Sequence, residues 1–264
     1  MLHFTKYHGA GNDFLLIDDR EETFELDAPA IAALCTRRLG VGADGLILLR
    51  PNHTADMRMV YFNADGHESS MCGNGGRCLA HFAHAVGAAG EEMTIRAIDG
   101  IHTARLLDGG ARVRLSMNDV DHIEDLGDGR VFLDTGSPHV VERIEAFPKD
   151  FVVHCRTIRN SDRFRAEGVN VNLLVDDGDV RRLRTYERGV EEETLSCGTG
   201  AVAAALTVLH GERRSGVVGL RTPGGVLTVE ATHDARTGRF ENIHLEGPVH
   251  PVFHGQTERM SLAG

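Results

Sequence analysis

Two stretches of the chain share one arrangement of polar and apolar positions: an asparagine, then a largely apolar run, then an aspartate. They are Asn12-Asp13-Phe14-Leu15-Leu16-Ile17-Asp18 and Asn170-Val171-Asn172-Leu173-Leu174-Val175-Asp176. Short apolar runs bounded by turn residues predict buried strands. The same reading predicts strands over Leu46–Arg50, Met57–Phe62, Met93–Ile98, Arg112–Met117, Val131–Thr135, Val152–Ile158 and Val226–Ala231. Helices are fewer: Ala28–Arg38, Arg77–Val86 and Ala201–His210. In the second of these, Leu79, Phe82, Ala83 and Val86 fall on one face, and Cys78, His81 and His84 on the other. The third is apolar nearly all round, which predicts a buried central helix. The acidic, apolar-poor segment Asn118–Gly129 reads as the linker.

The pattern also repeats at long range. Cys72 precedes Arg96 by 24 residues and Gly100 by 28, and Cys197 precedes Arg221 by 24 and Gly225 by 28. Upstream, Tyr61-Phe62-Asn63-Ala64-Asp65-Gly66 leads to the first cysteine much as Thr185-Tyr186-Glu187-Arg188-Gly189 leads to the second, one residue out of step. The two Asn-led runs extend the match, with a longer insertion, holding the Ala28–Arg38 helix, in the first half. A period this long is no solenoid repeat. It predicts two similar domains, 1–118 and 119–264, with the C-terminal tail crossing back to the first. The fold class is α/β (α+β), strand-rich, and sites favour the interface of such domains.

Composition narrows the partners. A net charge of −11 and pI near 5.7 argue against nucleic acid or an anionic membrane. The start has no basic, then apolar, then small-residue pattern and the chain no long apolar run, so the expected compartment is the cytoplasm. The odd set of cysteines, 35, 72, 78, 155 and 197, suits reduced thiols.

Two of those thiols stand in Cys72-Gly73-Asn74-Gly75 and Cys197-Gly198-Thr199-Gly200, each just ahead of a predicted helix. Unpaired N–H groups and the helix dipole favour negative charge at that position, which makes thiolate available near neutral pH. Two such groups can remove a proton from one face of a carbon and return one to the other.

The segments His8-Gly9-Ala10-Gly11-Asn12-Asp13-Phe14, Phe62-Asn63-Ala64-Asp65-Gly66, Cys72-Gly73-Asn74-Gly75-Gly76-Arg77-Cys78, Gly136-Ser137-Pro138-His139, Tyr186-Glu187-Arg188-Gly189 and Ser196-Cys197-Gly198-Thr199-Gly200 closely resemble those of the diaminopimelate epimerase family, in its order and over nearly the whole chain. The resemblance implies two pseudo-symmetric domains, each a curved, mostly antiparallel sheet around a central helix, with the active site between them. It implies epimerisation of LL- to meso-diaminopimelate without pyridoxal phosphate or metal, toward lysine and cell-wall precursors, by a homodimer. Cys72 and Cys197 take the place of the two bases, and His139 and Glu187 that of groups tuning proton transfer or holding the ammonium. Asn12, Asn63, Asn170, Glu187 and Arg188 match the substrate-binding set, with Arg188 on the distal carboxylate. The N–H groups around Gly73, Asn74, Gly198 and Thr199 match the α-carboxylate site, so that the Thr199 side chain is expected to matter little. Ser137 stands where many members have Asn, and Gly45 where some have Gln. Facing thiols would join Cys72 to Cys197 under oxidation.

Other readings remain. Proline racemases and hydroxyproline epimerases share the two-cysteine logic but typically carry His after the first Cys-Gly, where this chain has Asn74. A phenazine-biosynthesis isomerase shares the expected fold without the cysteine pair. A metal-binding or thiol-redox protein would use Cys78-x-x-His81-x-x-His84, for which a polar solvated helix face is the simpler reading. Glu191-Glu192-Glu193 reads as a solvated turn.

Overall fold

The structure, a computed structural model, describes residues 1–178 and 180–258. The first half contains β1 (Leu2–Gly9), β2 (Asn12–Asp18), α1 (Ala28–Cys35), β3 (Gly45–Arg50), β4 (Met57–Asn63), α2 (Gly73–Ala85), β5 (Glu92–Ala97), β6 (Gly100–Leu107) and β7 (Arg112–Ser116). The second contains β8 (Ile123–Gly127), β9 (Arg130–Asp134), β10 (Pro138–Ile144), α3 (Phe151–Arg159), β11 (Asn170–Val175), β12 (Val180–Glu187), β13 (Glu192–Thr194), α4 (Gly198–Glu212), β14 (Gly216–Thr222), β15 (Gly225–His233) and β16 (Phe240–Pro248), followed by β17 (His250–Thr257). Contacts divide the chain into one compact unit of Met1–Leu115 with the described residues from Pro248, and a second of Ser116–Gly247.

In the first unit the strands bond in the order β17-β1-β2-β3-β4-β5-β6-β7, with β2/β3 and β4/β5 parallel and the other pairs antiparallel. In the second the order is β8-β9-β10-β11-β12-β14-β15-β16, with β10/β11 and β12/β14 parallel. The two orders match strand for strand. β13 adds a short hairpin to β12. Within each unit one helix packs against six strands of its own sheet: α2 on β1 to β6, and α4 on β9 to β12, β14 and β15. Six strands span about 24 Å when flat and a helix is about 10 Å across, so each sheet curves around its helix.

This layering explains the apolar runs. Leu15, Ile17, Leu46 and Leu48 pack with Ile31 and Leu34 of α1 on the outer face, while the alternate residues turn inward toward α2. Strands covered on both faces carry continuous apolar sequence. The repeated glycine spacing also has a backbone cause: Gly100 and Gly225 open β6 and β15 with φ of 150° and 148°. Only glycine holds that conformation without strain.

Several expectations need correction. Val152–Ile158 is helical, within α3, not a strand: Phe151, Cys155 and Ile158 are buried at helical spacing while Val153 is exposed, so periodicity overrides the β-branched composition. α3 is therefore the second-half counterpart of α1, and the presumed first-half insertion is shared. The Asn-led runs are not counterparts either. Topology pairs β2 with β10 and β3 with β11. The supposed linker contains β8, whose alternation is too weak to read in so acidic a segment. In α2, Cys78 is fully buried and Val86 exposed, reversing their expected faces. α1 stops at Cys35, short of the expected Arg38.

Candidate active site

Both central helices begin earlier than the side-chain pattern indicates, at Gly73 and Gly198 instead of Arg77 and Ala201. The glycines lack the side chains that carry helical periodicity, which hid the first turn. As a result Cys72 and Cys197 are themselves the N-caps, with φ/ψ of −109°/117° and −118°/118°. Each sulfur sits at the positive end of a helix. Gly200 is required there by close approach: a Cβ would lie 2.5 Å from Asn172 Oδ1.

In the first unit the sulfur of Cys72, half-buried, accepts from the Gly75 N–H at 3.5 Å, and its thiol donates to Asn12 Oδ1 at 3.7 Å. Asn12 leaves the tight β1/β2 turn, in which Ala10 and Gly11 have φ of 52° and 85°. Its amide is held at both ends: Oδ1 accepts from Asn74 Nδ2 at 3.2 Å, and Nδ2 donates to Asp44 Oδ2 at 2.7 Å. Asp44 in turn pairs with Arg37 at 2.9 Å. Arg77, wholly buried, donates to Gly73 O at 3.2 Å and Asn74 Oδ1 at 2.8 Å. Asn63 ends β4 and is exposed, outside this hydrogen-bonded group.

In the second unit Asn172 organises the site. Its Nδ2 donates to Val140 O at 3.2 Å and to His139 Nδ1 at 2.9 Å, and its Oδ1 accepts from Thr185 Oγ1 at 2.9 Å. The carbonyl fixes which end of the amide donates, so Nδ1 of His139 is the acceptor and the ring proton sits on Nε2. Nε2 then donates to Thr199 Oγ1 at 3.0 Å. That hydroxyl lies 3.4 Å from Cys197 Sγ, where it can donate to a thiolate or accept from a thiol. Burial, with the positive charge of Arg188 second, pushes His139 down to about 3. The imidazole is neutral at physiological pH, as a one-proton relay requires.

Asn170 bonds Ser137 Oγ at 2.9 Å and accepts from the Arg188 backbone N–H at 2.8 Å, which anchors the turn after β12. Glu187 closes β12, and Arg188 is exposed with its guanidinium on Glu167 O at 3.3 Å. Thus Cys197, Thr199 and His139 form one hydrogen-bonded group, and Asn170, Ser137 and Arg188 another.

Strand register gives the equivalences between halves. Phe14 pairs with Gly45 and Gly45 with Asn63, while His139 pairs with Asn170. Asn12, Phe14, Gly45 and Asn63 therefore correspond to Ser137, His139, Asn170 and Glu187. Sequence reasoning missed Asn172, Asp44 and the hydroxyl of Thr199, since each contact spans distant strands. Asn172 carried a signal: it interrupts an apolar run at a position covered on both faces. Cys78, His81 and His84 do not converge. Cys78 is buried, His81 Nδ1 meets Tyr7 OH at 3.0 Å, and His84 is exposed. Among the described residues no cluster of His, Cys, Asp and Glu is arranged to hold a metal. Glu191 to Glu193 form an ion-paired hairpin, not a solvated turn: Glu191 accepts from Tyr186 OH at 3.0 Å and Glu193 pairs with Arg184. No helix among the described residues is long and apolar enough to cross a membrane.

The fold is shared with solved structures of low sequence identity. A phenazine biosynthesis protein from Bacillus anthracis superposes with a TM-score of 0.76 at 16% identity, covering 97% of this chain and 99% of its own. A probable proline racemase from Agrobacterium radiobacter gives 0.71 at 17%, covering 98% and 93%. These neighbours share the fold; relatives by sequence define the class, an isomerase of the epimerase type. Sequence comparison specifies it further. The diaminopimelate epimerase family model matches residues 4–123 and 131–249. Diaminopimelate epimerases from Flavobacterium psychrophilum and Chlorobaculum tepidum are 42% and 41% identical, covering 94% of this chain in each case and 97% and 98% of theirs. One from Archaeoglobus fulgidus is 41% identical over 96% of this chain and 95% of its own. The chain belongs to the diaminopimelate epimerase family.

Proposed function

We propose that the enzyme interconverts LL- and meso-2,6-diaminopimelate by a cofactor-independent two-base reaction, with Cys72 and Cys197 on opposite faces of the α-carbon. The observation that carries this reading is that each half caps its central helix with one of these cysteines in nearly the same backbone conformation.

The α-proton is only weakly acidic beside an ionised carboxylate, so the carbanion needs oriented dipoles in a dry site. The N–H groups around Gly73 and Asn74, and around Gly198 and Thr199, receive the α-carboxylate. One thiolate takes the α-proton while the other thiol delivers its own to the opposite face. The two roles are exchanged after turnover, and the pair titrates as a coupled unit. Glu187 receives the ammonium, Arg188 clamps the distal carboxylate, and Asn12, Asn63 and Asn170 orient both ends. His139 acts on Cys197 through Thr199. The reaction supplies lysine and cell-wall precursors in the cytoplasm, carried out by a homodimer.

The test is exchange of the α-proton for deuterium in D₂O with LL-diaminopimelate. Wild type incorporates solvent deuterium on inversion, and Cys72→Ser and Cys197→Ser each lose most epimerisation. Inversion without deuterium uptake, or full activity in either variant, rejects the two-base reading. Equal or faster racemisation of proline would reject the substrate.

A further inference from the structure

The turn after β12 carries Arg188, and its backbone needs something to hold it. Glu187 pairs with Glu192 at the end of the β12/β13 ladder, so Arg188, Gly189, Val190 and Glu191 form the loop between the two strands. Arg188, Gly189 and Val190 are exposed. Gly189 and Glu191 have left-handed backbone, with φ of 89° and 59°. Glycine holds that conformation freely, whereas a glutamate is strained in it. Such strain persists where the surroundings over-determine the conformation.

Glu191 meets that condition through its own carboxylate. Its backbone N–H donates to Glu187 O at 2.8 Å and closes the loop. Oε1 accepts from the Gly189 N–H at 3.2 Å and from Arg159 Nε at 3.3 Å, and Oε2 accepts from Tyr186 OH at 3.0 Å. The carboxylate thus turns back under its own loop. Its supports are well anchored: Tyr186 is wholly buried, and Arg159 ends α3 and also donates to Phe164 O at 3.4 Å. Burial works against the charge, but the Gly189 N–H, the Tyr186 hydroxyl and Arg159 outweigh it and hold the carboxyl below its ordinary range. Arg159 also meets the other side of the turn. At Gly168, φ 79°, a Cβ would lie 2.8 Å from both Arg159 Cζ and Arg188 Cδ, so the two arginine side chains flank one glycine.

We infer that Glu191 is a positioning residue: its carboxylate sets the conformation of the Arg188–Gly189 turn and so aims the Arg188 guanidinium, on the reading above that Arg188 clamps the distal carboxylate. Its effect falls on substrate binding and not on proton transfer, because Arg188 serves the end of the substrate that does not react.

Glu191→Asn and Glu191→Gln separate reach from charge. Asparagine tolerates the left-handed backbone but is too short to repeat the carboxylate's contacts, whereas glutamine keeps the reach and one acceptor oxygen. Amide hydrogen exchange at Gly189, followed by NMR on the full chain, reads the turn without substrate. In Glu191→Asn the Gly189 N–H exchanges about 10-fold faster or more. KM for LL-diaminopimelate rises about 10-fold, while kcat falls less than about 3-fold. Glu191→Gln lies between wild type and Glu191→Asn in both readouts. In an Arg188→Ala background Glu191→Asn adds little further loss, since both act through one contact. Unchanged Gly189 exchange in folded Glu191→Asn, a loss carried by kcat alone, or additive losses with Arg188→Ala would overturn the positioning role. Should Glu191→Asn fail to fold, Glu191→Gln decides, and Gly189 exchange and KM equal to wild type would overturn it. Absence of diaminopimelate turnover in wild type, with Gly189 exchange that still depends on Glu191, would reject the proposed substrate and uphold the anchoring of the turn.

Discussion

Thr199→Val removes a single hydroxyl at almost constant volume and tests the relay on Cys197. Two bonds disappear together: His139 Nε2 to Oγ1 at 3.0 Å and Oγ1 to Cys197 Sγ at 3.4 Å. The first loss leaves a buried N–H without a partner, costing about 1–3 kcal/mol of stability. The second withdraws a donor from a thiolate. A hydrogen bond to a charged group is worth about 1.5–3 kcal/mol, and one pKa unit corresponds to about 1.4 kcal/mol. The Cys197 thiol should therefore rise by about 1–2 units, and the direction in which Cys197 is the base should slow by about 10- to 100-fold near neutral pH. Thr199→Ser keeps the hydroxyl and should behave as wild type. The assays are peptide-resolved alkylation against pH and the pH dependence of kcat/KM in both directions. If Thr199→Val leaves the Cys197 midpoint unmoved while the protein stays folded, the hydroxyl is not a donor to sulfur and the relay is wrong.

Other outcomes follow from the same geometry. His139 is held neutral when folded, down to about 3, so the unfolded chain binds the extra proton between about pH 6.5 and pH 3. Its stabilising contribution is complete above that window and lost as pH falls through it. Denaturant unfolding at several pH values should show a slope up to about 1.4 kcal/mol per pH unit steeper in wild type than in His139→Gln, and equal slopes would refute the assignment. Gly200→Ala would press a Cβ to 2.5 Å from Asn172 Oδ1, whereas Gly75→Ala meets the movable end of Ile47 at 2.8 Å. Thermal melts should show the larger loss at Gly200, about 1–3 kcal/mol, and the reverse order would contradict the packing.

Much of the site was legible because its chemistry is local. A cysteine followed by glycines before an apolar helix is one contiguous signal, and the matched spacings to Arg96, Gly100, Arg221 and Gly225 record real backbone equivalence. What was hidden depends on pairing across strands. The parallel β10/β11 ladder sets His139 against Asn170 and brings Asn172 beneath α4. No spacing in the chain announces this. The mistaken match of Asn12 with Asn170 has the same origin, since β2 and β11 read alike when both faces of a strand are covered. Val152–Ile158 failed for another reason: its burial period rests on Phe151, Cys155 and Ile158, and the intervening β-branched residues mask it.

The register also shows how a duplicated scaffold supports two thiols differently. Beneath α2 the inward positions are Phe14, Ile47 and Tyr61, with Phe14 and Tyr61 packed edge to face at 6.0 Å. The corresponding positions beneath α4 are His139, Asn172 and Thr185, a neutral hydrogen-bonded set. Within the helices the polarity is reversed, with Arg77 buried in α2 and Val202 at the matching place in α4. Polar support thus comes from the helix in one half and from the sheet in the other. The matched caps give both cysteines nearly the same backbone conformation, but the two-base reaction proposed above needs, at each instant, one base and one acid. Two identical supports would leave thiol and thiolate to an even choice. The supports differ instead: Asn12 Oδ1 accepts from the Cys72 thiol in one half, and the Thr199 hydroxyl stands beside Cys197 Sγ in the other. The relay can still re-form around either protonation state during turnover, because the Thr199 hydroxyl can donate to a thiolate or accept from a thiol.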